Sequence, residues 1–516
     1  MSAGVIRMLP VIIFFVVLLG LGFYIQRTSA DSKAENFSKE YYIGGRSLGG
    51  FVLAMTLVAT YSSVSSFLSG PGVAWNVGYG WVYYASTQVV AAFIVLGILG
   101  KKMAVVGRKV DAVTVIDLIR ARYDDKVATL LAIVIIVFFT TTMIGQFIGG
   151  AQIFSKAMGI GYVTALIVFA VVVILYTSVG GFNAVAITDT ACAMVMLVGM
   201  FALGFSILKA GGGLHSVTTK INQIADDYVA SGGTKGSNMT SPFGEIGNAD
   251  GGTPYIPLPL YITQWMLCGI CTMGLPQSTV RCLSYKNSHA VHRAMVYGTI
   301  VVGAMMVGMH MLGVWSRAVL PSIPEGATTD TVVPTLIANY MHPLVAGITI
   351  VGPLAATMST ISSLLIAGSS AIVKDLYLHH KEATNQEIDQ KKVATLSISI
   401  TFLMGIVAVV FSIKPPSIIV WINMFSFGGL QTSFFWVMLF GLFWKKANST
   451  GAFLGSLGGL AAYCITMAAG IKISTFHNIL IGIVVALILF IIGNNFGKPL
   501  DEEKAKIFFP EQEPAA

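Results

Sequence analysis

Thirteen times along its 516 residues, this chain carries a run of about twenty apolar residues with almost no charge. About twenty residues of helix cross the hydrocarbon core of a bilayer. The runs lie at roughly 5–26, 49–72, 76–100, 127–155, 162–180, 186–210, 256–280, 294–315, 344–373, 393–413, 417–444, 449–470 and 477–497. Lipid offers no hydrogen-bond partners, so each run must satisfy its own backbone, and the chain reads as an all-α polytopic membrane protein. Only 10% of its residues are charged, against about 25% in an average soluble domain. No stretch outside the runs is long enough to hold a separate core, so 1–516 is one transmembrane domain. The first run is followed by Thr28-Ser29-Ala30, which resembles a cleavage site, but its apolar part is long for a signal sequence and we keep it as a helix.

A net charge of +8 could suggest nucleic acid, but the basic residues form no single face or run. They sit in short loops, the pattern that orients a membrane protein. With the N-terminus outside, the inner loops are 27–48, 101–126, 181–185, 281–293, 374–392, 445–448 and the tail after 497. These hold 23 of the 31 Lys and Arg residues. The N-terminus therefore faces out and the C-terminus faces the cytoplasm, as an odd number of spans requires. Residues 211–255 form the longest outer, extracellular loop, rich in Gly, Ser and Asn, with a short helix expected near Val217 to Tyr228. The five cysteines fall in or beside apolar runs, and Cys268 and Cys271 read as small packing residues. No zinc set or disulfide framework is evident.

The chemistry concentrates in two runs. The middle of 49–72 reads Ala59-Thr60-Tyr61-Ser62-Ser63-Val64-Ser65-Ser66, where a lipid anchor would carry Leu, Ile and Phe. The middle of 344–373 reads Ala355-Ala356-Thr357-Met358-Ser359-Thr360-Ile361-Ser362-Ser363. Hydroxyls at bilayer depth need partners. Small and hydroxyl residues also pack membrane helices together. Two dense clusters in matching early and late positions favour a site built of backbone carbonyls and hydroxyls, suited to a monovalent cation. The seventh run carries Gly269, Gly274 and Pro276, weak points of a broken helix. Runs two to six (49–210) and seven to eleven (256–444) would then be two inverted repeats, each opening on an interrupted helix. Asp189 in the sixth run has two readings, a carboxylate at a helix N-terminus or a waypoint for the cation. His310 reads as a hydrogen-bonded packing residue, and Arg281 and Arg293 as parts of the cytoplasmic rim.

Several motifs resemble one family. Glu40 to Gly50 (EYYIGGRSLGG), Tyr176 to Phe182 (YTSVGGF), Thr188-Asp189-Thr190, Ala356 to Thr360 (ATMST) and Lys374-Asp375-Leu376-Tyr377 are similar to the sodium:solute symporters, over nearly the whole chain. Other stretches, among them Ala54 to Tyr61, Gln146 to Ala151, Arg281 to Lys286 and Gly308-Met309-His310, are most similar to the pantothenate-carrying branch. The resemblance implies thirteen helices around a LeuT-like core of five plus five, in a bacterial inner membrane. It implies sodium-driven uptake of pantothenate by alternating access, with Na+ as the coupling ion and no organic cofactor. It places the ion on carbonyls of Ala59, Ser62 and Ala356 and hydroxyls of Ser359 and Thr360, and ties Asp189 to sodium passage.

Tyr61 stands where the proline-carrying branch has an aspartate, and Cys268 and Thr272 where it has Trp and Tyr, so proline is a poor fit. No embedded Lys or Arg offers itself to a carboxylate. A half-helix N-terminus can hold one, so the substrate is expected near Ser63, Ser65 and Ser66, faced by Gly269 and Thr272, with Gln146 as an amide contact. The alternative cargo is another small monocarboxylate or an amino acid. A sensor built on this fold would expect a sizeable signalling domain, and the tail offers none. No nucleophile–base set or phosphate loop supports an enzyme, and no nucleic acid partner is expected.

Overall fold

The computed structural model describes residues 3–29, 37–231, 240, 258–414, 419–474 and 476–510. Their regular structure is helical, and their only β pairing is an isolated bridge between Leu48 and Tyr285. The membrane-crossing elements are α1 (Ala3–Ser29), the bent pair α2 (Gly50–Tyr61) and α3 (Ser65–Val77), α4 (Tyr79–Lys109), α5 (Asp125–Met158) and α6 (Tyr162–Gly211). After α7 (Leu214–Ala230) come the second bent pair α8 (Leu258–Gly274) and α9 (Pro276–Leu283), α10 (Ser288–Ser316), α11 (Pro343–Ala383) and α12 (Gln390–Ser412). Last are α13 (Ile419–Phe443), α14 (Ser449–Ala468) and α15 (Ile479–Phe496).

Ten helices among the described residues are long and apolar enough to cross a bilayer, and the two bent pairs raise this to twelve. The 50 residues of α6 would be about 75 Å long if straight, more than twice the hydrocarbon thickness of about 30 Å. Helix α6 turns at Gly181, whose φ of 63° is open to glycine and strained for other residues. Its two limbs match the expected fifth and sixth spans and bring the number to thirteen. Boundaries shift where the apolar pattern runs past a polar end. The second run does not stop at Gly72, because Pro71 and Gly72 lie inside α3, which continues to Val77. The ninth run continues beyond Val373 to Ala383. Helix α7 covers the short helix expected at 217–228, while 232–239 and 241–255 of the expected outer loop lie outside the described residues.

Helix α11 is the centre of the bundle. Its apolar window is 83% buried, against 33% for α1, α12, α14 and α15. A helix apolar all round belongs inside, and α11 packs on α1, α5 and α6. The broken pair α2/α3 lies against α10, and α2 also touches α6 and α11. Close approach depends on missing side chains. A Cβ at Gly313 on α10 would overlap the backbone of Pro71 on α3. Gly313→Ala is therefore expected to destabilise the protein by about 1–3 kcal/mol, read as a lowered midpoint in detergent-solubilised thermal unfolding.

Candidate sodium and substrate site

The break between α2 and α3 is a bend of 68°. At its centre Ser62 leaves the helix, with φ −77° and ψ 95°. Serine and threonine hydroxyls compete for backbone groups, so a dense run of them weakens a helix from within. The freed amides are met locally. Ser62 N still reaches Val58 O at 2.8 Å, Ser66 N donates to Ser63 O at 3.0 Å, and Val64 N donates to Gln146 Oε1 at 3.0 Å. Gln146 thus caps the start of α3.

Helix α11 lays its hydroxyl cluster on this break. Ser359 Oγ lies 2.8 Å from Ala59 O and 3.1 Å from Ala356 O. Thr360 Oγ1 lies 2.9 Å from Ala356 O and 3.4 Å from Thr60 O. Four of the five expected sodium ligands therefore converge. Ser62 stands at the break itself, with its hydroxyl 3.5 Å from Met305 Sδ. The donor set fits a hard monovalent cation. Each hydroxyl now donates a proton to a carbonyl, and turning that proton away frees lone pairs of hydroxyl and carbonyl oxygens for an ion. Among the described residues no group of three or more His, Cys, Asp and Glu could hold a metal ion.

Next to these oxygens is a buried ion pair. Asp189 Oδ2 accepts from Thr56 Oγ1 at 2.7 Å and lies 3.4 Å from Arg281 Nη2. Arg281 Nη2 also bonds Thr60 Oγ1, and Ser363 Oγ at 2.9 Å, while its Nη1 bonds Gln277 O. This corrects two expectations. Arg281 is not on the rim, since it is 1% exposed, and an embedded arginine does exist. The cause is the second break, a bend of 53° between α8 and α9. The bend keeps the chain inside the bundle for two more turns and carries Arg281 inward at the end of α9. Arg293, on α10, is exposed. Asp189 lies about two turns past the Gly181 bend, so it caps no helix and serves the polar cluster instead. Its Oδ1 has no hydrogen-bond partner among the described residues, and neither has Arg281 Nε.

A cavity opens at the break. Ser63, Ser65 and Ser66 line it, as expected; Gln146, Gly269 and Thr272 do not. Thr272 Oγ1 is turned onto Gly269 O at 2.5 Å. The α8 wall is instead Gln264 and Cys268, with Tyr61, His310 and Asn423 facing them. Tyr61 donates to Cys268 O at 2.7 Å, and Asn423 Nδ2 to Ser65 Oγ at 2.6 Å. A second cavity is lined by Arg281, Ser363, Thr114 and Asp375, among others. Tyr61 walls the first cavity, while its neighbour Thr60 is bonded to Arg281, which walls the second. The Asp189–Arg281 cluster therefore adjoins the second cavity directly and reaches the wall of the first through Thr60 and Tyr61.

Two interrupted helices, a buried central helix and paired chambers define a multi-pass secondary transporter. The fold agrees. A Na+-coupled sialic acid symporter superimposes with a TM-score of 0.78 at 18% identity, over 97% of this chain and all of that one. Mhp1, a nucleobase-cation-symport-1 family transporter, does so with a TM-score of 0.55 at 14% identity, over 90% of this chain and 97% of that one. These likenesses establish the LeuT-like architecture. The model of the sodium:solute symporter family matches residues 41–459, and the chain belongs to that family. It is 40% identical to the sodium/pantothenate symporter of Haemophilus influenzae, over 96% of this chain and 97% of that one. It is 38% identical to the Escherichia coli sodium/pantothenate symporter, over 95% and 96%. Identity to a Staphylococcus aureus sodium/proline symporter is 26%, over 94% and 92%.

Proposed function

We propose that this protein imports pantothenate by symport with Na+, alternating access between the two chambers. The observation that carries the site is the Ser359 hydroxyl 2.8 Å from the Ala59 carbonyl, across the break. In this reading Na+ is held by carbonyls of Ala59, Ser62 and Ala356 and hydroxyls of Ser359 and Thr360. Sodium bound there ties α2 to α11 and fixes the serine-lined start of α3, where the cargo carboxylate lies near Ser63, Ser65 and Ser66. Asp189 is the next oxygen on the path to the second chamber, and its Oδ1 is free to take the ion. The repeats run 49–210 and 256–444, and loop charge sets the N-terminus outside and the C-terminus in the bacterial cytoplasm.

The test is binding of labelled pantothenate to purified protein across a sodium titration. Binding that rises with Na+, not K+, and is displaced by unlabelled pantothenate supports the reading. Displacement only by other monocarboxylates or amino acids would move the assignment to a different cargo. A second prediction concerns charge. The membrane potential is worth about 2.3 kcal/mol per charge per 100 mV. One Na+ with one pantothenate anion cancels that term, and the Asp189–Arg281 pair adds no net charge. Uptake at a fixed sodium gradient is expected to change less than twofold when about 100 mV is imposed, whereas tens-fold stimulation would require a second sodium ion.

A further inference from the structure

The cavity at the break holds a histidine whose outward nitrogen the packing does not use. His310 on α10 is 3% exposed and walls the cavity beside Gly70. Its Nδ1 lies 2.5 Å from Met306 O. A carbonyl can only accept, so Nδ1 carries the proton, and the neutral ring presents Nε2 as an acceptor. No described residue donates to Nε2.

Gly70 on α3 faces this nitrogen. A Cβ there would overlap Nε2 and come within 2.9 Å of Cδ2. The missing side chain lets the α3 backbone pack directly on the ring edge at the cavity wall. An apolar ring would pack as well, whereas a buried acceptor left unpaired costs about 1–3 kcal/mol. Of the polar groups lining the cavity, Tyr61 is engaged with Cys268 O, and Ser63 and Asn423 both with Ser65. An ionised carboxylate has no proton to give and cannot satisfy an acceptor.

We propose that His310 Nε2 accepts a hydrogen bond from a donor of the cargo, in pantothenate a hydroxyl or the amide N–H, and that Gly70 leaves the room the ring needs to hold that position. His310 is then a specificity residue: it distinguishes a hydroxylated or amide-bearing carboxylate from its analogue lacking the donor. The inference rests on the pantothenate reading above.

The test is competition against labelled pantothenate uptake by analogues with one hydroxyl replaced by hydrogen, or the amide replaced by an ester. In the wild type one of these is expected to compete at least about tenfold more weakly than pantothenate, and which one it is identifies the donor. In His310→Phe the discrimination should fall to about twofold, with the pantothenate KM raised about tenfold and half-maximal sodium unchanged. His310→Gln, which keeps an acceptor, should retain most of the discrimination. Gly70→Ala should lose it with the histidine still present. These two variants decide the matter even if His310→Phe fails to fold. Analogues that all compete equally in the wild type, or undiminished discrimination in His310→Phe and Gly70→Ala, would overturn the inference alone. No pantothenate uptake by the wild type would overturn the cargo reading, and this inference with it.

Discussion

Ser359→Ala with Thr360→Ala is expected to abolish sodium-driven uptake while leaving the protein folded. Both hydroxyls bond carbonyls within α11 or across to α2. Losing such neutral bonds costs about 1 kcal/mol each in stability. The ion loses far more. A contact between a dipole and a full charge is worth about 1.5–3 kcal/mol, so two lost ligands weaken sodium binding by roughly 10²–10⁴-fold. The measurement is half-maximal sodium for uptake, set beside the thermal midpoint of the purified variant. A variant with unchanged sodium dependence would remove these two residues from the ion site.

The second large effect concerns Asp189 and Arg281. Removing either partner of a buried pair leaves the other charge uncompensated, at about 3–5 kcal/mol. Asp189→Asn and Arg281→Met are each expected to lower the unfolding midpoint strongly and to stop transport. The double variant should recover most of the stability, because no orphan charge remains, yet stay inactive, because the carboxylate proposed for the ion's path is gone. A double-mutant cycle on thermal unfolding reads the coupling directly. Losses that simply add would mean that the 3.4 Å approach carries no energy.

The sequence made the bundle legible because span length, loop charge and hydroxyl density are local properties. It also pointed to both breaks, through Ser62-Ser63 in one run and Gly274 and Pro276 in the other, and Gly181 marks the turn between the limbs of α6. What stayed hidden depends on direction in three dimensions. Arg281 follows the last apolar residues of its run and reads as a rim charge, although the expected break at Pro276 already implied that α9 continues inside. Thr272 and Gly269 sit on the right helix but turn onto each other, while Gln264 and Cys268 reach the cavity. No spacing rule distinguishes these faces when Trp265–Gly269 winds wider than an α-helix and the next turn winds tighter. Gln146 reads from sequence as a polar contact for cargo, whereas its carbonyl oxygen caps α3.

In the function proposed for this chain, a sodium gradient alone drives pantothenate through it. The most direct measurement is accumulation of radiolabelled pantothenate in proteoliposomes of the purified protein, with equal potassium in place of sodium as the control. Transient accumulation above the outside concentration is expected only with sodium imposed inward, collapsing when a sodium ionophore is added. Equal uptake in sodium and potassium, or pantothenate that merely equilibrates whatever the gradient, would contradict it.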